Sequence, residues 1–251
     1  MRIHLPIADS GNCKAFAIAA SRIPDLSLAG AAEAADLIVT DNPRASFEGK
    51  PTLLVDAEPL LEEPWLFPSL PLRFSPDVVA VRESLDEGQL GRPGLLRLHL
   101  WDRRAQPSDY ATRVGAVDLA LWFFGNDPEA VHCLGNTDKA NSCLIIHIGF
   151  PAGGMAVLDF AHSLPEGDGH RSFSLIGSRG AAYADDHRNR NLFFNGGSPQ
   201  ADRQSFELAT IENLLRSFAE DVREGNDSGS MARSYRKASE IVTGNFGEKD
   251  T

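Results

Sequence analysis

Asp118 lies in the apolar run Val117-Asp118-Leu119-Ala120-Leu121-Trp122, where its carboxylate either contacts a ligand or caps or pairs with a neighbouring group. His162, Asp168, His170, Asp185, Asp186 and His187 fall together in loops after strands. Imidazole and carboxylate are suitable metal ligands, but no pair has a spacing such as HxxxH on a helix. Loop polarity accounts for them, and no metal is expected. Arg103-Arg104 and Arg188-Asn189-Arg190 have the forks to hold an anion by bidentate contacts, or are solvated surface arginines. Ser10, Ser163 and Ser178 lie in no GxSxG elbow, which argues against a serine hydrolase.

The elements that must position these residues change character along the chain. Arg2 to Ile7 reads as an opening strand, Lys14 to Arg22 as a helix stopped by Pro24, and Ala31 to Ala35 as a shorter helical piece. Leu37-Ile38-Val39-Thr40, ended by Asp41-Asn42-Pro43, and Thr52-Leu53-Leu54-Val55 read as compact strands buried on both faces. One βαβ unit takes about 30 residues, so this start supplies roughly half of a full dinucleotide-binding sheet. Glu58 to Pro76 is rich in proline and reads as a connector.

Beyond it, Asp77 to Glu87 and Thr112 to Phe124 carry helical apolar stripes, each ended by a glycine, Gly88 and Gly125. Leu95 to Trp101 alternates, with Leu96, Leu98 and Leu100 on one face and Arg97, His99 and Trp101 on the other. Cys143 to Phe150 alternates again and turns at Pro151-Ala152-Gly153-Gly154 into Met155 to Ala161. Ser172 to Ile176 and Ala181 to Tyr183 form a further hairpin, and Leu192 to Phe194 adds an edge. Helices over Ile211 to Glu224 and Met231 to Thr243 close the sequence. The expected class is α/β with an α+β C-terminal part. A shortened Rossmann-like domain, residues 1–72, precedes a mainly antiparallel open sheet packed on helices, residues 73–251.

Composition narrows the partners. Across 251 residues, 42% hydrophobic and 24% charged content suit a globular domain. A formal net charge of -11 argues against nucleic acid, whose binding shows as a basic patch. No apolar run has the length of a membrane helix, and the opening residues have no signal pattern. Cys13, Cys133 and Cys143 make an odd count with no CxxC, so a reduced, cytoplasmic setting is expected.

Four passages carry a family resemblance: Arg73-Phe74-Ser75-Pro76 with Glu87-Gly88-Gln89-Leu90-Gly91-Arg92-Pro93, Val117 to Gly125, Ser174 to Ala181, and Glu212 to Ile241. In this order they resemble the Gfo/Idh/MocA oxidoreductases, the NAD(P)-dependent relatives of glucose-fructose oxidoreductase and inositol dehydrogenase. The resemblance implies a sugar- or polyol-like ligand, with Asp118, Arg73, Arg103 and His162 as substrate contacts. It also implies cofactor contacts at Gly11, at Asn42 and Pro43 in the strand-and-turn Asp36 to Pro43, and at Glu58. The family's open sheet face serves oligomerisation. Here that face holds Arg97, His99, Trp101, Ile145 and His147, so a homodimer is expected.

Departures from the family pattern decide the functional expectation. The GxGxxG turn, whose glycines let the backbone approach a pyrophosphate, is replaced by Ala8-Asp9-Ser10-Gly11-Asn12-Cys13, and Asp9 brings negative charge toward it. The lysine of Glu-Lys-Pro is replaced by Glu58 in Ala57-Glu58-Pro59, and Lys50 is a strand's length away. In the Asp-x-x-x-His-x-x-Asp helix only Asp118 remains, with Ala111 and Gly115 at the other two places. The expectation is a binding, scaffold or regulatory protein without dehydrogenase catalysis and without a cofactor. The alternative is an active oxidoreductase using NAD or NADP at an unconventional site, with Asp118 or His162 as substitute base.

Overall fold

The computed structural model describes residues 1–42, 47, 49–55, 63–101, 109–136, 143–161, 170–185 and 203–246. The chain divides into two compact units, Met1–Pro76 with Gln204–Glu240 and Asp77–Arg203 with Ile241–Thr251. The sequence-based expectation divided the chain into residues 1–72 and 73–251; the first unit here also takes in residues 204–240.

The first unit is a five-stranded parallel sheet in the order β2-β1-β3-β4-β5. Its strands are β1 (Arg2–His4), β2 (Ser27–Leu28), β3 (Leu37–Thr40), β4 (Thr52–Leu54) and β5 (Leu66–Pro68). Two of these, β2 and β5, fall where the sequence suggested no strand. β5 lies inside the proline-rich connector, where Pro68 pairs with Leu54 at the sheet's edge. An edge strand tolerates proline because one side of it needs no ladder donor. Helix α1 (Ser10–Ser21) crosses from β1 to β2, and a 3-10 turn (Ala32–Ala34) stands before β3.

One face of this sheet presents Ile3, Leu37, Val39, Leu53, Val55 and Phe67 to a single apolar cluster. Phe16, Ala19 and Ala20 of α1 enter that cluster, as do Leu214, Leu215, Phe218 and Ala219 of helix α4 (Arg203–Glu224). Residues far apart in sequence therefore share one core, which explains why α4 belongs to the first unit.

The second unit holds a six-stranded mixed sheet in the order β11-β10-β6-β9-β8-β7. Its strands are β6 (Pro93–Trp101), β7 (Ala130–Asn136), β8 (Cys143–Gly149), β9 (Met155–Ala161), β10 (His170–Gly177) and β11 (Ala181–Asp185). Every pairing is antiparallel except β6 with β9, which is parallel. Helix α2 (Pro76–Asp86) starts on a proline, whose missing N–H costs nothing at that position. Arg171 of β10 holds the first turn of α2 with a bidentate contact to Asp77, both distances 2.8 Å.

Helix α3 (Asp109–Phe124) packs on β6 and β9. Residues 114–121 of this helix are all buried, so it is enclosed around its circumference rather than on one stripe, with Asp118 the one ionisable side chain among them. Gly125, at φ 66°, ends it as the alternation of helix and glycine predicted. A last helix, α5, spans Gly229–Phe246. The expected edge at Leu192 to Phe194 lies outside the described residues.

The faces of the second sheet divide as the alternation required. Leu96, Leu98, Leu144, Ile146 and Ile148 are buried on one face. Arg97, His99, Trp101, Ile145 and His147 lie on the opposite one, exposed or half-buried.

Candidate functional site

In an open parallel α/β sheet, ligands bind beyond the carboxyl ends of the strands where the strand order reverses. Here that reversal falls between β1 and β3, which are hydrogen-bonded neighbours. The candidate site is therefore built by the segment Leu5 to Asn12 after β1 and by Asp41 and Asn42 after β3.

The ends of the two strands are tied together. Thr40, 1% exposed, donates from Oγ1 to the carbonyl of Pro6 at 3.0 Å. The same oxygen accepts the backbone N–H of Asn42 at 3.2 Å. The intervening residue, Asp41, turns its carboxylate back across the crevice. Its Oδ2 accepts the N–H of Ala8 at 2.8 Å and that of Asp9 at 3.2 Å.

Asp9 repeats the pattern one step later. It is the N-cap of α1, and its Oδ1 accepts the N–H of Gly11 at 2.7 Å and that of Asn12 at 3.0 Å. Such a cap stabilises a helix by about 0.5–2 kcal/mol. Four N–H groups in the turn into α1, those of Ala8, Asp9, Gly11 and Asn12, are thus received by two carboxylate oxygens of the chain itself.

This arrangement does not fit a dinucleotide diphosphate. Such a group needs free N–H donors at a helix N-terminus and glycines that let it approach. The donors at Ala8, Asp9, Gly11 and Asn12 already have partners, and those partners are anionic. A like charge brought to about 4 Å costs about 4 kcal/mol at an effective dielectric constant of 20. The end of β2 is also unsuited. A carboxylate there would receive the ribose hydroxyls, but the chain reads Leu28-Ala29-Gly30-Ala31. Lys50 is equally committed: its Nζ donates to the carbonyls of Ala32, Glu33 and Ala35 at 2.7, 3.1 and 3.0 Å.

Asp118 sits on α3 and is completely buried, and it is not without a partner. Ala111 and Gly115 precede it by seven and three positions, so all three share one helix face. Neither neighbour carries a titratable group, and no water-accessible surface remains on Asp118. Arg73 stands in a 3-10 turn (Pro71–Phe74) of the first unit, half-buried and also partnered. Gly11 is in the first turn of α1 with its N–H on Asp9, and Asn42 follows β3 with its N–H on Thr40. Pro43, Glu58, Arg103 and His162 lie outside the described residues. Among the described residues, no group of three or more His, Cys, Asp or Glu is arranged to hold a metal. Ser178, one of the serines considered as a nucleophile, accepts the N–H of Arg92 at 3.0 Å and serves its turn.

Sequence reasoning placed Asp9 at the turn but missed Asp41, which reads only as a strand terminator. Its partners are more than thirty positions away in the chain, a distance that no local pattern spans.

Comparison with solved structures identifies the fold. A myo-inositol dehydrogenase from Corynebacterium glutamicum superposes with a TM-score of 0.73 and 18% identity, over 96% of this chain and 95% of that one. The fold is that of the Gfo/Idh/MocA oxidoreductases. GenD2 from gentamicin A biosynthesis, solved in complex with NAD, shares this fold at a TM-score of 0.72 and 13% identity, over 99% of this chain and 95% of that one. In sequence, the myo-inositol 2-dehydrogenase of Thermotoga maritima is 23% identical over an alignment of 194 residues that covers 68% of this chain. The match spans 57% of that relative's length. No family model matches the chain.

Proposed function

We propose that this protein uses a Gfo/Idh/MocA fold without dehydrogenase chemistry, as a binding protein for a small sugar- or polyol-like metabolite or as a scaffold or regulatory partner. The observation that carries this reading is the pair of carboxylates, Asp9 and Asp41, receiving the N–H groups of Ala8, Asp9, Gly11 and Asn12 in the turn into α1. Hydride transfer from an alcohol also needs a base beside the hydroxyl. Ala111 and Gly115 supply none, and Asp118 is fully buried. The second unit associates as a homodimer through the sheet face that bears Arg97, His99, Trp101, Ile145 and His147. A cytoplasmic setting belongs to the same reading, in keeping with three free cysteines. Among the described residues no helix is long and apolar enough to cross a membrane.

A second reading, an active NAD(P)-dependent oxidoreductase on a polyol-like substrate, is favoured by one observation. The similar proteins include a myo-inositol 2-dehydrogenase and a structure solved with NAD. Titration of the purified protein with NADH and NADPH, read by quenching of Trp65, Trp101 and Trp122, separates the two. Saturable micromolar binding supports the oxidoreductase. No binding at millimolar cofactor supports the non-catalytic reading.

A further inference from the structure

We infer that Asp41, together with Asp9, is a built-in substitute for the anion of the switch point, and that this pair of carboxylates is what closes the site to diphosphates. The inference rests on the non-catalytic reading above and names the residues responsible.

Three features support it. The donor geometry of an anion site is kept: Ala8 and Asp9 direct their N–H groups to one oxygen, Oδ2 of Asp41. Gly11 and Asn12 direct theirs to one oxygen, Oδ1 of Asp9. Successive N–H groups converging on single oxygens form the kind of concavity that receives phosphate elsewhere. Asp41 is also held in place, because the residues on either side of it are tied through the hydroxyl of Thr40, which itself bonds Pro6. The one glycine of the turn serves the internal carboxylate as well. A Cβ at Gly11 would stand 3.1 Å from Oδ1 of Asp9, closer than ordinary contact. That glycine makes room for Asp9 rather than for an incoming pyrophosphate.

The pair therefore acts as a specificity determinant by exclusion. It takes up four N–H groups of this turn without a ligand and repels any ligand that brings phosphate to it, leaving the site to ligands without negative charge.

The test uses the full chain and two conservative changes. Asp41→Asn keeps an oxygen acceptor and removes the charge; Asp9→Ser keeps a capping oxygen and does the same. Binding of inorganic pyrophosphate and of NADH is measured by titration calorimetry for the wild type, each single variant and the double variant, with thermal melts by circular dichroism to establish folding. The expected result is no saturable binding by the wild type up to millimolar probe, and saturable binding by the double variant, because each charge removed lifts a like-charge repulsion. A folded double variant that binds neither probe overturns the inference and leaves the non-catalytic reading in place. A wild type that binds NADH at micromolar concentration overturns both. Should the double variant fail to fold, the folded single variants decide by the same criterion.

Discussion

The ring of Phe218 on α4 meets that of Phe67 on β5 edge-on, with centroids 5.0 Å apart and an interplanar angle of 60°. This contact joins the last strand of the parallel sheet to a helix from the far end of the sequence. Both rings are nearly buried, Phe67 at 3% and Phe218 at 2%. Replacing Phe218 by alanine removes the ring and leaves a cavity between β5 and α4. Such changes in well-packed cores cost about 3–5 kcal/mol. Urea denaturation followed by circular dichroism should show a clear drop in the midpoint of the transition that belongs to the first unit. An unchanged midpoint would mean that α4 does not close this sheet.

Lys50 ends the 3-10 turn before β3 with three donated hydrogen bonds, to Ala32, Glu33 and Ala35. An ammonium is well matched to this task, since it has three donors and carries no acceptor. Lys50→Met keeps much of the stem and removes the donors. The expected cost is about 1–3 kcal/mol, the range for leaving such carbonyls without their charged partner. Hydrogen exchange should speed up at Ala34 and Ala35, whose N–H groups close the turn. NADH titration of this variant should match the wild type, because Lys50 is a structural residue here.

Cys133 on β7 offers a chemical probe of the second sheet. Burial pushes its thiol above the ordinary cysteine range, because a thiolate there loses solvation. The thiolate is the reactive form, so alkylation at mildly alkaline pH should be slow. Peptide mass spectrometry after iodoacetamide treatment at a series of pH values should give a midpoint for Cys133 above that of free cysteine. Unfolding in urea should bring the midpoint back to the free-cysteine value. A midpoint in the folded protein at or below that value would contradict the burial.

Much of the second unit was legible because its signals are local. The alternation of Leu96 and Leu98 with Arg97 and His99 fixed the faces of β6, and Gly125 marked the end of α3. What escaped the sequence has non-local causes. β2 is two residues long, and both are exposed, so it carries no apolar pattern. β5 is disguised by the prolines around it, and it becomes a strand because β4 offers it an edge. β7 was assigned no element from the sequence, although Val131 and Cys133 lie on the inward face, because Gly135 and the exposed Leu134 blur its alternation. At the candidate site, the missing glycines and the charge of Asp9 were visible in the turn itself. The role of Asp41 required knowing that β1 and β3 are neighbours, which is a property of the sheet and not of either segment.

The last prediction concerns the exposed face of the second sheet. Leu134, Met155, Ile176 and Tyr183 lie on it with exposures of 60%, 42%, 37% and 74%, spread from one edge strand, β7, to the other, β11. One pair of polar groups near its centre is already joined, since His99 Nδ1 and Asp159 Oδ2 are 3.0 Å apart. Trp101 packs edge-on against His99 and His170, at centroid distances of 5.6 and 5.2 Å. A face of this kind gains from exclusion of water and buries no unpaired carboxylate in doing so. A depression of about 420 Å³ lined by Arg97, His99, Ser172, Ser174 and Tyr183 gives it relief for a partner's side chains. Sedimentation equilibrium should therefore find the wild type as a dimer. Leu134→Lys combined with Tyr183→Lys should weaken association by at least about thirtyfold, the scale of one interface hot spot. Circular dichroism should leave the fold of the variant unchanged, because neither side chain enters the core. A wild type that sediments as a monomer at micromolar concentration, or a double variant that dimerises as tightly as the wild type, would rule this face out as the contact.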